Sequence, residues 1–560
     1  MIDKFKGFWR LPGSELHLSP SSKLLGPADP NKAVELTIVL RRRLDGSPMP
    51  GPEYFAQGTP LAQRQRIPRD EFATRYGASP TDLSLVVDFA RTHGLKVTNA
   101  DAASRSVHVV GRVAQMEKTF TVKLRYYQRQ QTADDPIENY HSYEGFIHIP
   151  DHLSKIVIGV FGLDNRDITK RHRFASIRAS APDSSSSDSD PPITKPVKVS
   201  DITRLYDFPT NSAEGQTIAI LCHEGYLKDD IDKYFKGLHL ETPTITDVSV
   251  YGTNSKEATV ETTLDICIAG SAAPGASIAA YFVRTHSNWI DMVNKVAHPC
   301  DGDPVCSVLS SSHYASDGDD AATLDAAGVT KDWIDAMSMA FWDAGLQGVT
   351  VCVASGDRGS ASKCTDHKAH VLYPASDPWV LSVGGTTVGQ TKHNGPFVEY
   401  VWNDDYGATG GGISDYFPLP PYQRYVNVPV SLNDGHVGGG VPDVAANGSI
   451  RSGYYIYIDG DTYGPVGGTS ASAPLWAGYI AVINANLGMN VGFINPILYL
   501  MKPAFRDICG PPGPKDNGCD DKNGSHVTGY PSVEGEWDAC TGMGSIDGMG
   551  ILSFVARMIC

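Results

Sequence analysis

Three stretches of this chain carry side chains whose types and spacing could cleave an amide bond. The first is Gly467-Gly468-Thr469-Ser470-Ala471-Ser472-Ala473-Pro474, followed at once by the apolar run Leu475-Trp476-Ala477-Gly478-Tyr479-Ile480-Ala481-Val482-Ile483. Glycines before Ser470 let backbone and substrate approach closely, and a helix beginning here aims N–H dipoles at developing negative charge. The plainer alternative is an N-capping serine on a buried helix. A serine nucleophile needs a neighbouring base. None of the 17 histidines stands in a His-Gly-Thr setting, and His313 and His436 read as exposed histidines of polar, glycine-rich loops. Gly-x-Ser-x-Gly is not met around Ser470, which argues against an α/β-hydrolase elbow.

The better partner for the serine is acidic. Val260, Leu264, Ile266, Cys267 and Ile268 predict a largely buried helix across residues 257–270. Glu261 and Asp265 stand four apart and share one face of it. Two adjacent carboxylates repel when both ionise, so they share a proton and can work as an acid–base relay. A solvated acidic face fits that pattern equally well. In the third stretch, the β-type run Val349–Ala354 ends in the polar turn Ser355-Gly356-Asp357-Arg358-Gly359. Sites in open parallel sheets gather at the carboxyl ends of strands, which puts Asp357 where chemistry happens; its structural alternative is an aspartate that closes its own turn.

The elements that must position these residues fall into two parts of opposite charge. Residues 1–180 hold 26 Lys+Arg against 19 Asp+Glu, a net of +7, whereas the remainder of the 560-residue chain carries −23. A basic segment on an acidic body predicts attraction at neutral pH that loosens as carboxylates protonate. Only Arg41-Arg42-Arg43 clusters, after the strand-like run 34–40, so nucleic acid is not expected as a partner. Between the parts lies Ser180-Ala181-Pro182-Asp183-Ser184-Ser185-Ser186-Ser187-Asp188-Ser189-Asp190-Pro191-Pro192, a flexible, protease-accessible linker by composition. Before it, strand-like runs (34–40, 106–112, 119–126, 145–149) alternate with helical ones (80–93, 113–119), an α+β pattern of ferredoxin-like type. After it, strands at Thr217–Leu221, Ser277–Val283, Val305–Ser310, Val349–Ala354 and Trp379–Val383 alternate with helices, which predicts a parallel sheet with helices on both faces.

No run of about 18 apolar residues exists to cross a membrane, and the N-terminus lacks the apolar core of a signal peptide. Among ten cysteines, Cys300 with Cys306, Cys352 with Cys364 and Cys509 with Cys519 flank short loops; pairing would fit an oxidising compartment. Cys222 and Cys267 lie in apolar runs and read as buried thiols. No Cys-x-x-Cys occurs, which argues against zinc or thioredoxin chemistry.

Taken together the motifs resemble those of the sedolisins, the serine-carboxyl peptidases, and especially their kumamolisin-like bacterial members. The resemblance rests on Glu261-x-x-x-Asp265, Ser355-Gly356-Asp357 and Gly468-Thr469-Ser470-Ala471. It extends through Tyr373-Pro374-Ala375-Ser376, Val383-Gly384-Gly385-Thr386, Gly411-Gly412-Ile413-Ser414, Pro442-Asp443-Val444-Ala445 and Trp537-Asp538-Ala539-Cys540-Thr541-Gly542. It implies an α/β, subtilisin-like parallel sheet preceded by a ferredoxin-like prodomain: residues 1–175 as activation prodomain, 176–195 as linker with the processing site, and 196–560 as catalytic domain. It assigns Ser470 as nucleophile, Glu261 as general base and acid, Asp265 as the group that orients Glu261 and shares its proton, and Asp357 as oxyanion stabiliser. A carboxylate base still works in acid where a histidine is protonated, and Asp357 must carry a proton to donate to an oxyanion. Acid activity lost toward neutrality is therefore expected.

The resemblance also implies one calcium ion held by Asp507 and Asp538 side chains with main-chain carbonyls at Ile508, Glu534 and Glu536, a mixture calcium tolerates. Glu534-Gly535-Glu536-Trp537-Asp538 departs from the family's Gly-x-Gly-Trp-Asp there. Two more segments depart: Ser310-Ser311-Ser312-His313-Tyr314 stands for the family's Ser-Trp-Gly, and Leu221-Cys222-His223-Glu224 stands where some members extend the proton relay with a glutamate. The implied protein is an extracellular monomer acting on protein or peptide substrates, inhibited by its own prodomain until self-cleavage. A tripeptidyl exopeptidase of the same family and a non-catalytic binding protein on that fold are the alternatives.

Overall fold

In the computed structural model the described residues are 7–19, 21–51, 55, 66–130, 137–171, 194–251, 254–391, 395–501, 504–509, 517 and 529–558. Most of the expected linker and the expected processing site lie outside them, as does Cys519.

The N-terminal part folds as strand–helix–strand–strand–helix–strand: Ala33–Leu40, Pro80–Thr92, Lys96–Asp101, Ser106–Arg112, Val113–Phe120 and Val157–Phe161. The four strands form one antiparallel sheet with Lys96–Asp101 at one edge and Val157–Phe161 at the other. This is the expected ferredoxin-like order. The Pro80–Thr92 helix begins where the sequence chemistry places it. Ser79 Oγ accepts the Asp82 N–H at 3.0 Å, and proline occupies the first helical position.

Two expected strands move. The helix runs on to Phe120, the chain turns through Thr121 at φ 53°, and the strand starts only at Arg125. It joins a separate three-stranded sheet with Lys23–Pro27 and Glu138–Ser142. The run 145–149 opens on Gly145 at φ 83°, so its strand is confined to His148–Pro150.

The C-terminal part is built on an eight-stranded sheet in the order Ile245–Ser249, Ser277–Phe282, Thr217–Cys222, Val308–Ser311, Thr350–Ala354, Leu381–Gln390, Phe397–Val401, with Val444–Asn447 also paired to Leu381–Gln390. Every pairing is parallel except that of Phe397–Val401. Two helix pairs flank this sheet: Val260–Ala272 against Thr469–Leu487, and Trp289–Ala297 against Lys331–Leu346.

Both helices of the first pair are apolar nearly all round and are buried over almost their whole length, as such a pattern requires. They cross closely because Gly478 faces the other helix: a Cβ there would meet Ala272 Cβ at 2.5 Å. The N-terminal part has its own apolar core, yet Val39, Phe72, Tyr76 and Phe161 belong to the core of the C-terminal part. Docking of the two parts therefore buries apolar surface as well as charge.

Cys300, Cys306, Cys352 and Cys364 are all unbonded thiols, so neither expected pairing among them forms. Cys352 lies fully buried on a central strand, and Cys364 Sγ turns to the Asp317 carbonyl at 3.8 Å. Cys222 and Cys267 are buried thiols as expected.

Candidate active site

The structure brings the three chemical stretches to one place. Ser470 is the second residue of the Thr469–Leu487 helix and is fully buried; its Oγ has no hydrogen-bond partner among the described residues. No histidine therefore serves it. Pro474 has no N–H to return to the carbonyl four residues back, which leaves the Ser470 carbonyl open to another donor. Ser312 Oγ is that donor at 3.3 Å, and the same hydroxyl donates to Asp265 Oδ1 at 2.8 Å. One buried hydroxyl thus ties the Ser470 backbone to the Val260–Ala272 helix.

Glu261 and Asp265 are 2% and 0% exposed, which rules out the solvated-face alternative. Burial pushes the Asp265 carboxyl well above the usual carboxylate range, opposed only by the Ser312 hydrogen bond. Asp265 is therefore a proton holder beside Glu261.

Asp357 sits at the end of the Thr350–Ala354 strand, as expected, and faces the start of the serine helix. Thr469 donates to Asp357 Oδ1 twice, from N–H at 2.7 Å and from Oγ1 at 2.9 Å, and the Gly356 N–H donates to Thr469 Oγ1 at 3.0 Å. Gly468 makes this contact possible. Its φ is 104°, and a Cβ on it would fall 2.6 Å from Asp357 Oδ2. No other residue fits that position.

The expectation for His313 fails. It is 2% exposed and lies on the short strand His313–Tyr314, next to Ser312. The two segments that depart from the family meet here, with the His223 and His313 rings 5.0 Å apart and Trp289 Nε1 donating to His223 Nε2 at 2.7 Å. His436 does lie in a loop, half-buried, and its ring bonds Asp434 Oδ1 at 2.7 Å and the Ser414 carbonyl at 3.0 Å. Sequence reasoning missed Ser312 and Thr469 as site residues. Proline four positions after the serine was the one signal that an outside donor was needed.

From the prodomain, Lys170–Arg171 pairs antiparallel with His313–Tyr314, Arg171 opposite His313. Polypeptide that leaves the prodomain thus runs as a strand beside the residue next to Ser312.

At the expected cation site, Asp507 and Asp538 both reach the 533–536 turn. The Gly535 N–H donates to Asp507 Oδ2 at 2.6 Å and the Val533 N–H to Asp538 Oδ2 at 3.1 Å. The Glu536 side chain turns away to Asn427 at 3.0 Å, and Glu534 is exposed. Among the described residues no three His, Cys, Asp or Glu side chains gather to hold a metal. Main-chain N–H groups of the turn are what meet the two carboxylates here; the expected ligands are all hard oxygens, the class that calcium takes.

Residues 20–166 match the family described as Pro-kumamolisin, activation domain. Kumamolisin from Bacillus sp. (strain MN-32) is 36% identical over 562 aligned residues, covering 97% of this chain and 95% of that protein. Tripeptidyl-peptidase sed5 from Aspergillus fumigatus is 28% identical, covering 98% and 97%. Among solved structures, a Pseudomonas sedolisin (serine-carboxyl proteinase) complexed with pseudo-iodotyrostatin covers 66% of this chain and 100% of its own at 22% identity, with a TM-score of 0.54; that likeness bears on the fold alone.

Proposed function

This chain belongs to the sedolisin family of serine-carboxyl peptidases, as a kumamolisin-like proenzyme, and from that premise we propose that it is an acid-acting endopeptidase that removes its own prodomain. Ser470 Oγ attacks the peptide carbonyl carbon while Glu261 takes its proton. Asp265, which burial keeps protonated, orients Glu261 and shares that proton. The serine proton then passes from Glu261 to the leaving amine, and water repeats the sequence to release the acyl group. Asp357 donates to the oxyanion. Thr469 already occupies Oδ1 with two donors, so the proton offered to the oxyanion sits on Oδ2. Acid action belongs to the same reading, because a carboxylate base still works where a histidine would be protonated.

The observation that carries the reading is the convergence of three buried groups: Ser470, the Asp265 carboxyl tied to it through Ser312, and Asp357 held on Thr469. Endopeptidase action is favoured over tripeptidyl release by the Lys170–Arg171 strand. It lies along the site while attached on its N-terminal side to a whole domain, so the acyl side of the cleft admits long chains. The same placement favours self-inhibition by the prodomain and cleavage within the segment that follows.

The test is incubation of the full-length protein at about pH 4, where a carboxylate base works, beside Ser470→Ala. Loss of the N-terminal part in the wild type alone supports the reading; processing of both, or of neither, contradicts it. Cleavage of an N-terminally blocked peptide separates endopeptidase from tripeptidyl exopeptidase.

One calcium ion on Asp507, Asp538 and the main-chain carbonyls of Ile508, Glu534 and Glu536 belongs to the same reading. It would anchor the C-terminal turn and take no part in the chemistry. Chelation should lower the melting temperature, and added calcium should restore it. An extracellular location and a monomeric state also belong to it. Among the described residues no helix is long and apolar enough to cross a membrane.

A further inference from the structure

Prodomain and catalytic part meet over an ion cluster with a histidine ring at its centre. His298 follows the Trp289–Ala297 helix of the catalytic part and is 2% exposed. Phe72 of the prodomain covers it, with ring centroids 4.6 Å apart. Four prodomain arginines close around it. Arg66 donates to the Val296 and Ala297 carbonyls at 3.3 and 3.1 Å, and Arg69 donates to the carbonyl of His298 itself. Arg42 and Arg105 hold Asp343 of the neighbouring Lys331–Leu346 helix at 2.5 and 3.4 Å.

The carboxylates that face these four guanidinium groups are Asp343 and Asp101, the latter paired with Arg69. On the helix before His298, Lys295 is matched by Asp303 at 2.7 Å. The cluster therefore carries an excess of positive charge, and a proton on His298 adds to it. Burial, helped by Arg105, outweighs Asp343 and Asp101 and holds the ring below its ordinary value. It is neutral in the docked state at neutral pH. Its Nε2 nevertheless stands 3.5 Å from Asp343 Oδ2, the oxygen that Arg105 also faces. When the arginines leave, an imidazolium at that place is the cation that Asp343 then lacks.

We propose that His298 is the proton sensor of the proenzyme: protonated, its ring replaces Arg42 and Arg105 on the Asp343 carboxylate, and the prodomain is released. This rests on the reading of the N-terminal part as an inhibitor removed in acid. With the prodomain gone, the ring titrates at or above its ordinary value of about 6.5. Docking is therefore at full strength above that pH and weakens as pH falls through it. One proton taken up on opening corresponds to about tenfold per pH unit, until the docked ring itself titrates. Asp343 keeps its charge over this range, so what changes is the cation it holds.

The experiment uses the full chain carrying Ser470→Ala, which cannot cut itself, with and without His298→Gln. Opening of the boundary is read from hydrogen exchange at Ile67, whose N–H crosses it to Gln347 Oε1 at 3.1 Å. After allowance for the intrinsic effect of pH on amide exchange, opening in the parent should increase about tenfold per pH unit below about pH 6. His298→Gln should remove most of that dependence, and at about pH 7.5 the two chains should open alike. A second measurement leaves His298 in place: exchange of its imidazole C2–H titrates the ring directly. The midpoint should lie below about 6.5 in the Ser470→Ala chain and at or above it in the acid-processed wild type. Equal slopes with and without His298, or one midpoint in both forms, overturns this inference and leaves the peptidase reading standing. A boundary that opens as described, in a wild-type chain that still does not process itself, supports the sensor and overturns the peptidase reading alone.

Discussion

Asp265 and Asp343 are both completely buried, and the protein drives them in opposite directions. Asp265, on the Val260–Ala272 helix, accepts from one hydroxyl, that of Ser312, and burial holds its carboxyl well above the usual range. Asp343, on the Lys331–Leu346 helix, faces the prodomain. Burial pushes it up as well, but Arg42 at 2.5 Å and Arg105 at 3.4 Å hold it well below that range. Arg105 is itself 1% exposed, on left-handed backbone at φ 56°. Burial alone does not decide protonation, because charged partners can overrule it. Burial keeps the proton on Asp265, whose one hydroxyl partner is uncharged, whereas Asp343 is given two guanidinium groups that remove it. Both of those cations belong to the prodomain.

Substituting each by its neutral amide tests this contrast most strongly. Asp265→Asn should lower kcat by about 10²–10⁴-fold, the range of general acid–base assistance. Its melting temperature at neutral pH should stay level or rise. A carboxyl held up in the folded state loses stability as pH climbs above its unfolded value of about 3.9, and the amide escapes that loss. A fall in stability without loss of turnover would erase the distinction.

Asp343→Asn should act the other way, because it strands two guanidinium groups at the domain boundary. Breaking a buried pair costs about 3–5 kcal/mol. In a Ser470→Ala background, which cannot cut itself, an added protease should degrade the prodomain faster than in the parent. The stabilisation from Asp343 is present above the unfolded value of about 3.9 and is lost only as pH falls through a folded value far lower. The pair therefore still holds at about pH 4, and the loosening expected from overall charge must begin at other carboxylates. Equal protease sensitivity with and without Asp343 would show that apolar contacts such as Phe72 and Phe161 hold the prodomain unaided.

Much of this architecture was legible in the sequence. Period and burial agree for the Pro80–Thr92 helix and the central strands, because one apolar face or a continuous apolar run leaves few alternatives. The pair Glu261 and Asp265 was legible as a shared helical face, but whether that face met solvent was not, since spacing alone does not say what packs on it. His313 was misread for a related reason. Polar neighbours suggested a loop, while the fold lays that segment against Lys170–Arg171 and the His223 ring. Ser312 and Thr469 contact the site across 47 and 112 residues of chain, and such partners emerge only when the sheet is assembled. Arg105 and Asp343 likewise carry no local motif.

Ser312 sharpens the Asp265 side of the comparison. Ser312→Ala removes the hydroxyl donor that favours a charged Asp265, so that carboxyl should rise further. We expect kcat to fall about tenfold, in line with the loss of one buried hydrogen bond, with KM nearly unchanged. The acid limb of the pH–rate profile should move to higher pH. A lower kcat with an unmoved profile would reduce Ser312 to packing.

His370 offers the smallest and most selective effect, because it reverses Asp343 in sign. Burial opposes its charge, yet Asp320, Cys364 and Asp366 outweigh that and carry it up to about 11. A histidine raised in this way stabilises fully below its unfolded value of about 6.5, and the contribution fades as pH climbs toward the folded value. His370→Gln should therefore cost about 1.5–3 kcal/mol, the scale of hydrogen bonds to charged groups, throughout the acid range. In melting experiments the gap to the wild type should be constant below about pH 6 and narrow steadily above it. A gap that widened with pH would mean that the ring is neutral, and that the wall beside Asp357 owes its shape to packing and not to an acid-stable ion cluster.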